Sequence, residues 1–369
     1  MRNVPFFNYP YLFKSREDDF INIFKEVGQR GAYILQKDLV EFEINLARFA
    51  GTKYGIGVAN GTDAIWLALM AAGIGQGDEV IFASHTYIAT AASIHFVGAK
   101  PIPADCKSDH MIDIESVEKL ITAKTKAILP TQLNGRCCDM EALNLLAAKH
   151  NLIIIEDAAQ GLGAKYNGNG IGYYSKGATI SFYPAKNLGS FGDAGGFVTN
   201  DKDMYEKVML LRDHGRNDDG KFVMWGFNSR LDNLQAAFLN YKLSYYNDEI
   251  IRRREIAKLY DDNLKDIKEL LLPPPPDASL SYFDVYQNYE IEAEKRDELK
   301  AFLKDNGIGT LIQWNGQPVH SITSLGFSNI TLPYTEMMFT KCLMLPMNTS
   351  LSNEDVLYVC DKMRLFFGY

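Results

Sequence analysis

A lysine and an aspartate set the chemistry of this chain. Lys186 stands in Ser181-Phe182-Tyr183-Pro184-Ala185-Lys186-Asn187-Leu188-Gly189, where the apolar run 178–182 reads as a buried strand. Pro184 and the glycines at 189, 192, 195 and 196 bar a helix here. The lysine is therefore presented from a strand end rather than from a solvated helix face. Asp157 closes Ile153-Ile154-Ile155-Glu156-Asp157. Such a continuous apolar run suits a parallel sheet covered on both faces. Open α/β sheets bind ligands beyond the carboxyl ends of their strands, and both residues stand at such ends. An amine that can form a Schiff base and a carboxylate that can pair with a pyridinium nitrogen are what pyridoxal phosphate chemistry asks of a protein. Taken singly, a loop lysine is usually only solvated, and an aspartate after a strand is more often a helix N-cap. The pair is what speaks for chemistry.

A third stretch offers a phosphate site. Val58-Ala59-Asn60-Gly61-Thr62-Asp63-Ala64 is a strand end, a turn at Gly61 and a helix start. Free N–H groups and the helix dipole attract an anion there. Asn60-Gly61-Thr62 also matches a glycosylation acceptor, an accidental match in a chain with no secretory signal. Gly61-Thr62, Glu156-Asp157-Ala158-Ala159-Gln160, Ser181-Phe182 and Lys186-Asn187-Leu188-Gly189 together resemble the DegT/DnrJ/EryC1/StrS sugar aminotransferases. Those are pyridoxal 5'-phosphate enzymes of the aspartate-aminotransferase fold, and the resemblance runs from about residue 30 to residue 369.

The resemblance implies roles residue by residue. Lys186 would hold the cofactor and then act as the catalytic acid and base, with Asp157 opposite the ring nitrogen and Gln160 on the phenolic oxygen. Tyr87 would stack on the ring. Gly61, Thr62, Ser181 and Asn228 of the partner subunit would bind the phosphate, so a homodimer with shared active sites is expected. Tyr183, Gln313 and His320 would face the sugar. His85, by contrast, is not required by the scheme. The donor implied is L-glutamate. The acceptor implied is a nucleotide-linked keto-deoxysugar, leaning towards a dTDP-3-keto-6-deoxyhexose on the wording of 85–90 and 181–184. A UDP sugar or amination at carbon 4 stays open. The product would be an amino sugar for a glycoside or a surface glycan such as a lipopolysaccharide O-antigen. Two rivals are a sugar dehydratase of the same family, which carries histidine in place of the lysine, and a non-catalytic homologue, which would have lost Lys186 or Asp157.

The elements that must position these residues follow from the hydropathy pattern. Apolar runs at 55–58, 79–82, 100–104, 127–131, 152–156, 178–182 and 196–199 alternate with helical stretches. That alternation predicts a mostly parallel seven-stranded sheet flanked by helices, the arrangement of a fold type I PLP transferase. Apolar spacing at Leu39, Phe42, Leu46 and Phe49 predicts a helix ahead of it, and Asp139 an acidic N-cap. The predicted division is an N-terminal arm over 1–30, rich in proline and aromatics, a large domain over 31–244 and a small α+β domain over 245–369. The boundary rests on a break in helical pattern at 241–248. Beyond it, Arg252-Arg253-Arg254 reads as a solvated helix surface, Pro273 to Pro276 as a rigid linker, and 286–291 and 309–314 as strands.

Composition narrows the class. A net charge of −8 disfavours nucleic acid and anionic membrane as partners. No apolar run approaches the ~18 residues of a membrane span. The five cysteines are odd in number and spaced neither as a disulfide framework nor as a zinc site, so no metal is expected and a reducing cytoplasm fits.

Overall fold

The computed structural model describes residues 2–369; Met1, part of the predicted arm, lies outside the described residues. Seven strands form the central sheet: β1 (Tyr54–Val58), β2 (Glu79–Ala83), β3 (Lys100–Ala104), β4 (Thr125–Leu129), β5 (residues 153–157, interrupted at Ile155), β6 (Ala178–Ser181) and β7 (Gly195–Thr199). Their spatial order is β3-β2-β4-β5-β6-β7-β1. The first five pair in parallel; β7 runs antiparallel to both β6 and β1. Alternate residues serve opposite faces. Ile81, Ile128, Ile154 and Val198 enter one core cluster, while Val80, Phe82, Leu129, Ile155 and Phe197 enter another. Both faces are covered, which is why the strands read as continuous apolar runs.

The expected strand 127–131 ends two residues early. Pro130 has no N–H for the ladder, and Thr131 makes only an isolated bridge, to Asp157. Asp139 does cap its helix, accepting from the Ala142 N–H at 3.0 Å.

The expected break at 241–248 does not exist. One 32-residue helix, Asn233–Leu264, runs straight through it. Its first half gives Ala236, Leu239, Tyr246 and Ile250 to the core beside the central sheet; its second half gives Ile256, Tyr260 and Leu264 to a separate C-terminal core. The apolar face changes partner midway, so the period is disturbed while the backbone continues. The three arginines are corrected for the same reason. Arg253 is buried, and its Nη1 donates to the Met347 carbonyl at 2.6 Å and the Tyr286 carbonyl at 3.2 Å. Arg252 reaches the Leu351 carbonyl at 2.7 Å and Arg254 the Asp284 carbonyl at 2.9 Å. They pin the C-terminal segments to the helix instead of facing water.

A second sheet pairs β8 (Leu270–Leu271), β9 (Tyr289–Ala293) and β10 (Cys342–Leu345) antiparallel. The prolines at 273–276 lie docked, with Tyr286 Oη donating to the Pro274 carbonyl at 2.8 Å. The expected strand 309–314 reduces to one bridge, Leu311 to Met344, because the chain turns at Trp314 and Asn315, both with positive φ. The N-terminal arm packs on this half: Val4 bridges Ile308, and Arg2 pairs with Asp355 at 2.6 Å.

Candidate active site

The carboxyl ends of β5 and β6 meet the start of the helix Gly61–Ala71. Asp157 is the last residue of β5 and is buried. Its Oδ2 accepts from Thr90 Oγ1 at 2.6 Å and its Oδ1 from the Ala159 N–H at 3.2 Å. Thr90 is itself the end of a hydroxyl chain: Thr131 Oγ1 lies 3.0 Å from Thr86 Oγ1, which lies 2.7 Å from Thr90. Each hydroxyl has one proton. With Thr90 donating to Asp157, Thr86 must donate to Thr90 and Thr131 to Thr86. The chain thus presents only donors to Asp157 and favours its anion. Burial pushes the Asp157 carboxyl up; the Thr90 hydroxyl, the Ala159 N–H and the charge of Lys186 pull against it without cancelling it.

Lys186 sits in the turn after β6, its backbone N–H bonded to the Tyr183 carbonyl at 2.8 Å. The turn is tight: a Cβ on Gly189 would lie 2.5 Å from the Pro184 carbonyl oxygen. Gln287 clamps it from the far side of the cleft, accepting from the Asn187 N–H at 2.7 Å and donating to the Ala185 carbonyl at 2.9 Å. Burial lowers the Lys186 ammonium to about 8, against the opposing pull of Asp157. An amine so tuned is partly free near neutral pH, which a nucleophile or general base needs.

Gly61 opens its helix, and Asn60 caps it by accepting from the Asp63 N–H at 2.8 Å. The N–H groups of Gly61 and Thr62 precede that bond, at the positive end of the dipole. A Cβ on Gly61 would lie 2.7 Å from Ser181 Cβ, so only glycine lets the helix head and the end of β6 close on one cradle. Asn228 is exposed, its backbone bridged to Asp213; its neighbour Ser229 donates to Asp63 Oδ2 at 2.7 Å, beside the same helix head.

Gln160 is buried, and its Oε1 accepts from the Asn134 N–H at 2.7 Å and from Asn288 Nδ2 at 3.4 Å. Its NH2 group is left for the cleft. Tyr87 caps the helix Ile88–Phe96, half exposed, with its ring 5.4 Å from Trp314. Tyr183 is half exposed near Tyr9 of the arm, and residues 6–9, Tyr11 and Leu12 line the same cavity as Lys186.

Gln313 and His320 differ from expectation. Both are buried with their polar atoms engaged inside the protein. Gln313 Nε2 donates to Asn134 Oδ1, and its Oε1 lies 3.1 Å from His85 Nε2. His320 lies 2.7 Å from Ser84 Oγ through Nδ1 and 3.3 Å from Glu336 Oε1 through Nε2. Both are tied into the protein interior, Gln313 to Asn134 and His85 and His320 to Ser84 and Glu336. Thr90, Asn134 and Asn288 are site residues that sequence reasoning missed. Thr90 carried one usable signal: it lies one helical turn after Thr86, at a strand's carboxyl side.

These residues fit pyridoxal 5'-phosphate. A cradle that a methyl group would fill, a buried acid, an amine opposed only by that acid, and an amide with a free NH2 match its phosphate, ring nitrogen, aldehyde and phenolic oxygen in turn.

Known proteins agree. Residues 14–364 match the DegT/DnrJ/EryC1/StrS aminotransferase family. The chain is 40% identical over 372 residues to a pleiotropic regulatory protein of Geobacillus stearothermophilus, covering 100% of this chain and 99% of that one. It is 38% identical over 366 residues to a dTDP-3-amino-3,4,6-trideoxy-alpha-D-glucose transaminase of Streptomyces venezuelae, covering 98% and 95%. The crystal structure of S. venezuelae DesV in complex with a ketimine intermediate superposes with a TM-score of 0.95 at 37% identity, each chain fully covered.

Proposed function

We propose an acceptor, a donor and a quaternary arrangement for this chain, which belongs to the DegT/DnrJ/EryC1/StrS aminotransferase family. It is a pyridoxal-5'-phosphate-dependent sugar aminotransferase with the fold type I architecture. The proposed acceptor is a nucleotide-linked keto-deoxysugar, foremost a dTDP-3-keto-6-deoxyhexose, with L-glutamate as donor. The product is an amino sugar for a glycoside or a lipopolysaccharide O-antigen. The relatives' names support the acceptor class; the sequence resemblance supports the donor. One observation carries the reading: Lys186, with a depressed pKa, faces buried Asp157 beside the cradle of Gly61 and Ser181.

The cofactor supplies an electron sink for the carbon that loses its proton. The chain's residues do the rest. Asp157, kept an acceptor by Thr90, would hold a positive charge at the ring nitrogen. Gly61, Thr62 and Ser181 would hold the phosphate, Gln160 the phenolic oxygen, and Tyr87 would cover the ring at the cleft mouth. Lys186 would take the proton from the donor's α-carbon. In the second half the direction reverses, and Lys186 would deliver a proton to the sugar carbon that receives nitrogen, as microscopic reversal requires. Tyr183, at the rim, would meet the sugar.

A regulator without catalysis, the reading suggested by one relative's name, has no need of an activated lysine. Turnover of a panel of nucleotide keto sugars with glutamate separates the two, and borohydride reduction with peptide mapping should place the cofactor on Lys186. An adduct elsewhere, or none, overturns the reading.

A homodimer is proposed from exposed apolar surface. Phe222, Val223, Met224 and Trp225 project from one hairpin beside Asn228, with Trp225 94% exposed and Phe222 72%. Isolated monomers rarely show such a patch. Asn228 of the partner subunit would then reach the phosphate. Trp225→Asp should yield monomer on gel filtration, with PLP bound more weakly; a wild-type protein that elutes as monomer sinks this. A cytoplasmic location is supported by five free, buried cysteines, and among the described residues no helix is long and apolar enough to cross a membrane.

A further inference from the structure

A buried charge cluster lies behind Gln160 and Gln313, and transamination has no evident call for it. Glu290 and Glu292, two apart on β9, share one face of the strand. His110, from the loop after β3, bridges them: Nδ1 to Glu290 Oε2 at 2.8 Å, Nε2 to Glu292 Oε1 at 3.2 Å. A ring that donates from both nitrogens is an imidazolium. All three residues are buried. Burial opposes the His110 charge, but the bonds to Glu290 and Glu292 outweigh it and raise its pKa. Burial likewise pushes Glu290 up, but His85, His110 and Asn134 outweigh it and hold the carboxylate below its usual range.

The cluster reaches the cleft through Asn134. Its Nδ2 donates to Glu290 Oε2 at 3.0 Å. Its Oδ1 accepts from Asn288 Nδ2 at 2.9 Å and from Gln313 Nε2. Its backbone N–H donates to Gln160 Oε1, which Asn288 also reaches. Asn134 has a φ of +56°, and a Cβ on the next residue, Gly135, would lie 2.6 Å from the Tyr286 nitrogen. The turn is therefore built to bring Asn134 against the C-terminal sheet.

The distances describe hydrogen bonds from a protonated His110, not a metal ion. Ligating atoms of His85, His110 and Glu290 do lie within 4.8 Å of one another. A separation of 2.8 Å between Nδ1 and Oε2 would force two zinc bonds of about 2 Å to an angle of about 90°, against tetrahedral preference. His85 Nδ1 has no partner, whereas a ligating histidine donates its other N–H to an acceptor.

We propose that Glu290 is a positioning residue for the cofactor face: through Asn134 and Asn288 it turns the carbonyl of Gln160 inward and aims its NH2 into the cleft. The inference rests on the assignment of Gln160 to the phenolic oxygen. The full-length protein loaded with pyridoxal phosphate tests it, read by the pH midpoint of the bound cofactor's absorbance and by its dissociation constant. A donor lost from an oxygen that carries negative charge raises the midpoint. Gln160→Ala and Glu290→Gln should both raise it and weaken cofactor binding by about tenfold, the equivalent of one hydrogen bond. The double variant should match Gln160→Ala alone, because both act on one contact. Asn134→Ala, which keeps every charge and removes the link, should reproduce the shift where Glu290→Gln fails to fold. A midpoint moved by Gln160→Ala but not by Asn134→Ala or folded Glu290→Gln overturns the proposal, as does additivity in the double. A midpoint unmoved by Gln160→Ala overturns the Gln160 assignment and this inference with it. One equivalent of zinc in the purified protein, lost in His110→Asn, would overturn the protonated His110.

Discussion

The cleft has two polar walls, and they differ in what their side chains have left to offer. On the strand-end wall, Lys186 has only the charge of Asp157 set against its burial, and Gly61, Thr62 and Ser181 head a cradle that the missing Cβ of Gly61 allows to close. Behind the C-terminal wall, Gln313 is held by Asn134 and His85, His320 by Ser84 and Glu336, and His110 joins Glu290 to Glu292. A wall with free donors and a free base handles a ligand. A wall whose donors are engaged fixes where the first wall's groups point. Changes to the first should therefore fall on rate, and changes to the second on geometry and stability.

The largest effect tests the free wall. Lys186→Ala should cost on the order of 10⁴-fold in turnover without lowering the melting temperature, since general acid–base catalysis alone supplies 10²–10⁴-fold. Retained turnover would erase the contrast. Asp157→Asn preserves shape and the Thr90 contact but removes the charge opposite the ring nitrogen. It should slow turnover by about 10²-fold or more, the loss of one buried charge pair.

The depressed pKa of Lys186 gives a pH signature. The rate at which cofactor-free protein captures pyridoxal phosphate should rise with pH and level off above about 8, where the buried amine is free, rather than climbing to the ~10.4 of an ordinary lysine. Linkage gives the matching stability change. Between about 8 and the unfolded value the unfolded chain binds the extra proton, so the lysine's cost to folding is present below about 8 and is relieved as pH rises through that window. Stopped-flow absorbance of capture checks the first; a capture rate still climbing at pH 10 would place Lys186 in open water. Thr90→Val, which removes the hydroxyl facing Asp157 Oδ2, should cost about tenfold in turnover through one lost hydrogen bond. An unchanged rate would show that Asp157 does not depend on the threonine chain.

The two walls were also unequally legible in the sequence. Asp157, Gly61 and Ser181 are each announced by the apolar run they end or the helix they begin, so strand ends could be read in order along the chain. The second wall offers no local pattern. Asn134 and Glu290 are 156 residues apart and His110 and Glu290 are 180 apart, and only folding brings them together. Glu290 and Glu292 look like the solvated face of an amphipathic strand until His110 arrives from elsewhere. Arg253 failed for the same reason: three arginines in a row look exposed, and the carbonyls that bury one of them belong to residues 33 and 94 positions away. The helix Asn233–Leu264 misled in another way, because its apolar stripe changes core midway.

The smallest effect is the sharpest on this division, because it concerns a residue the sequence assigned to the sugar. His320 is fixed at both ring nitrogens. Glu336 Oε1, 3.3 Å from Nε2, can only accept, so the ring proton belongs to Nε2. Nδ1 then accepts from Ser84 Oγ at 2.7 Å, an oxygen that also accepts the His320 backbone N–H at 3.2 Å. Nothing on the ring is left for a substrate hydroxyl. His320→Ala should lower unfolding free energy by about 1–3 kcal/mol, the cost of leaving a buried hydroxyl unpaired, with KM for the keto sugar within about twofold of wild type. Urea denaturation and steady-state kinetics on the same preparation separate the two. A tenfold rise in KM with unchanged stability would move His320 to the ligand-handling wall, and would mean that its bonds to Ser84 and Glu336 open when the sugar arrives.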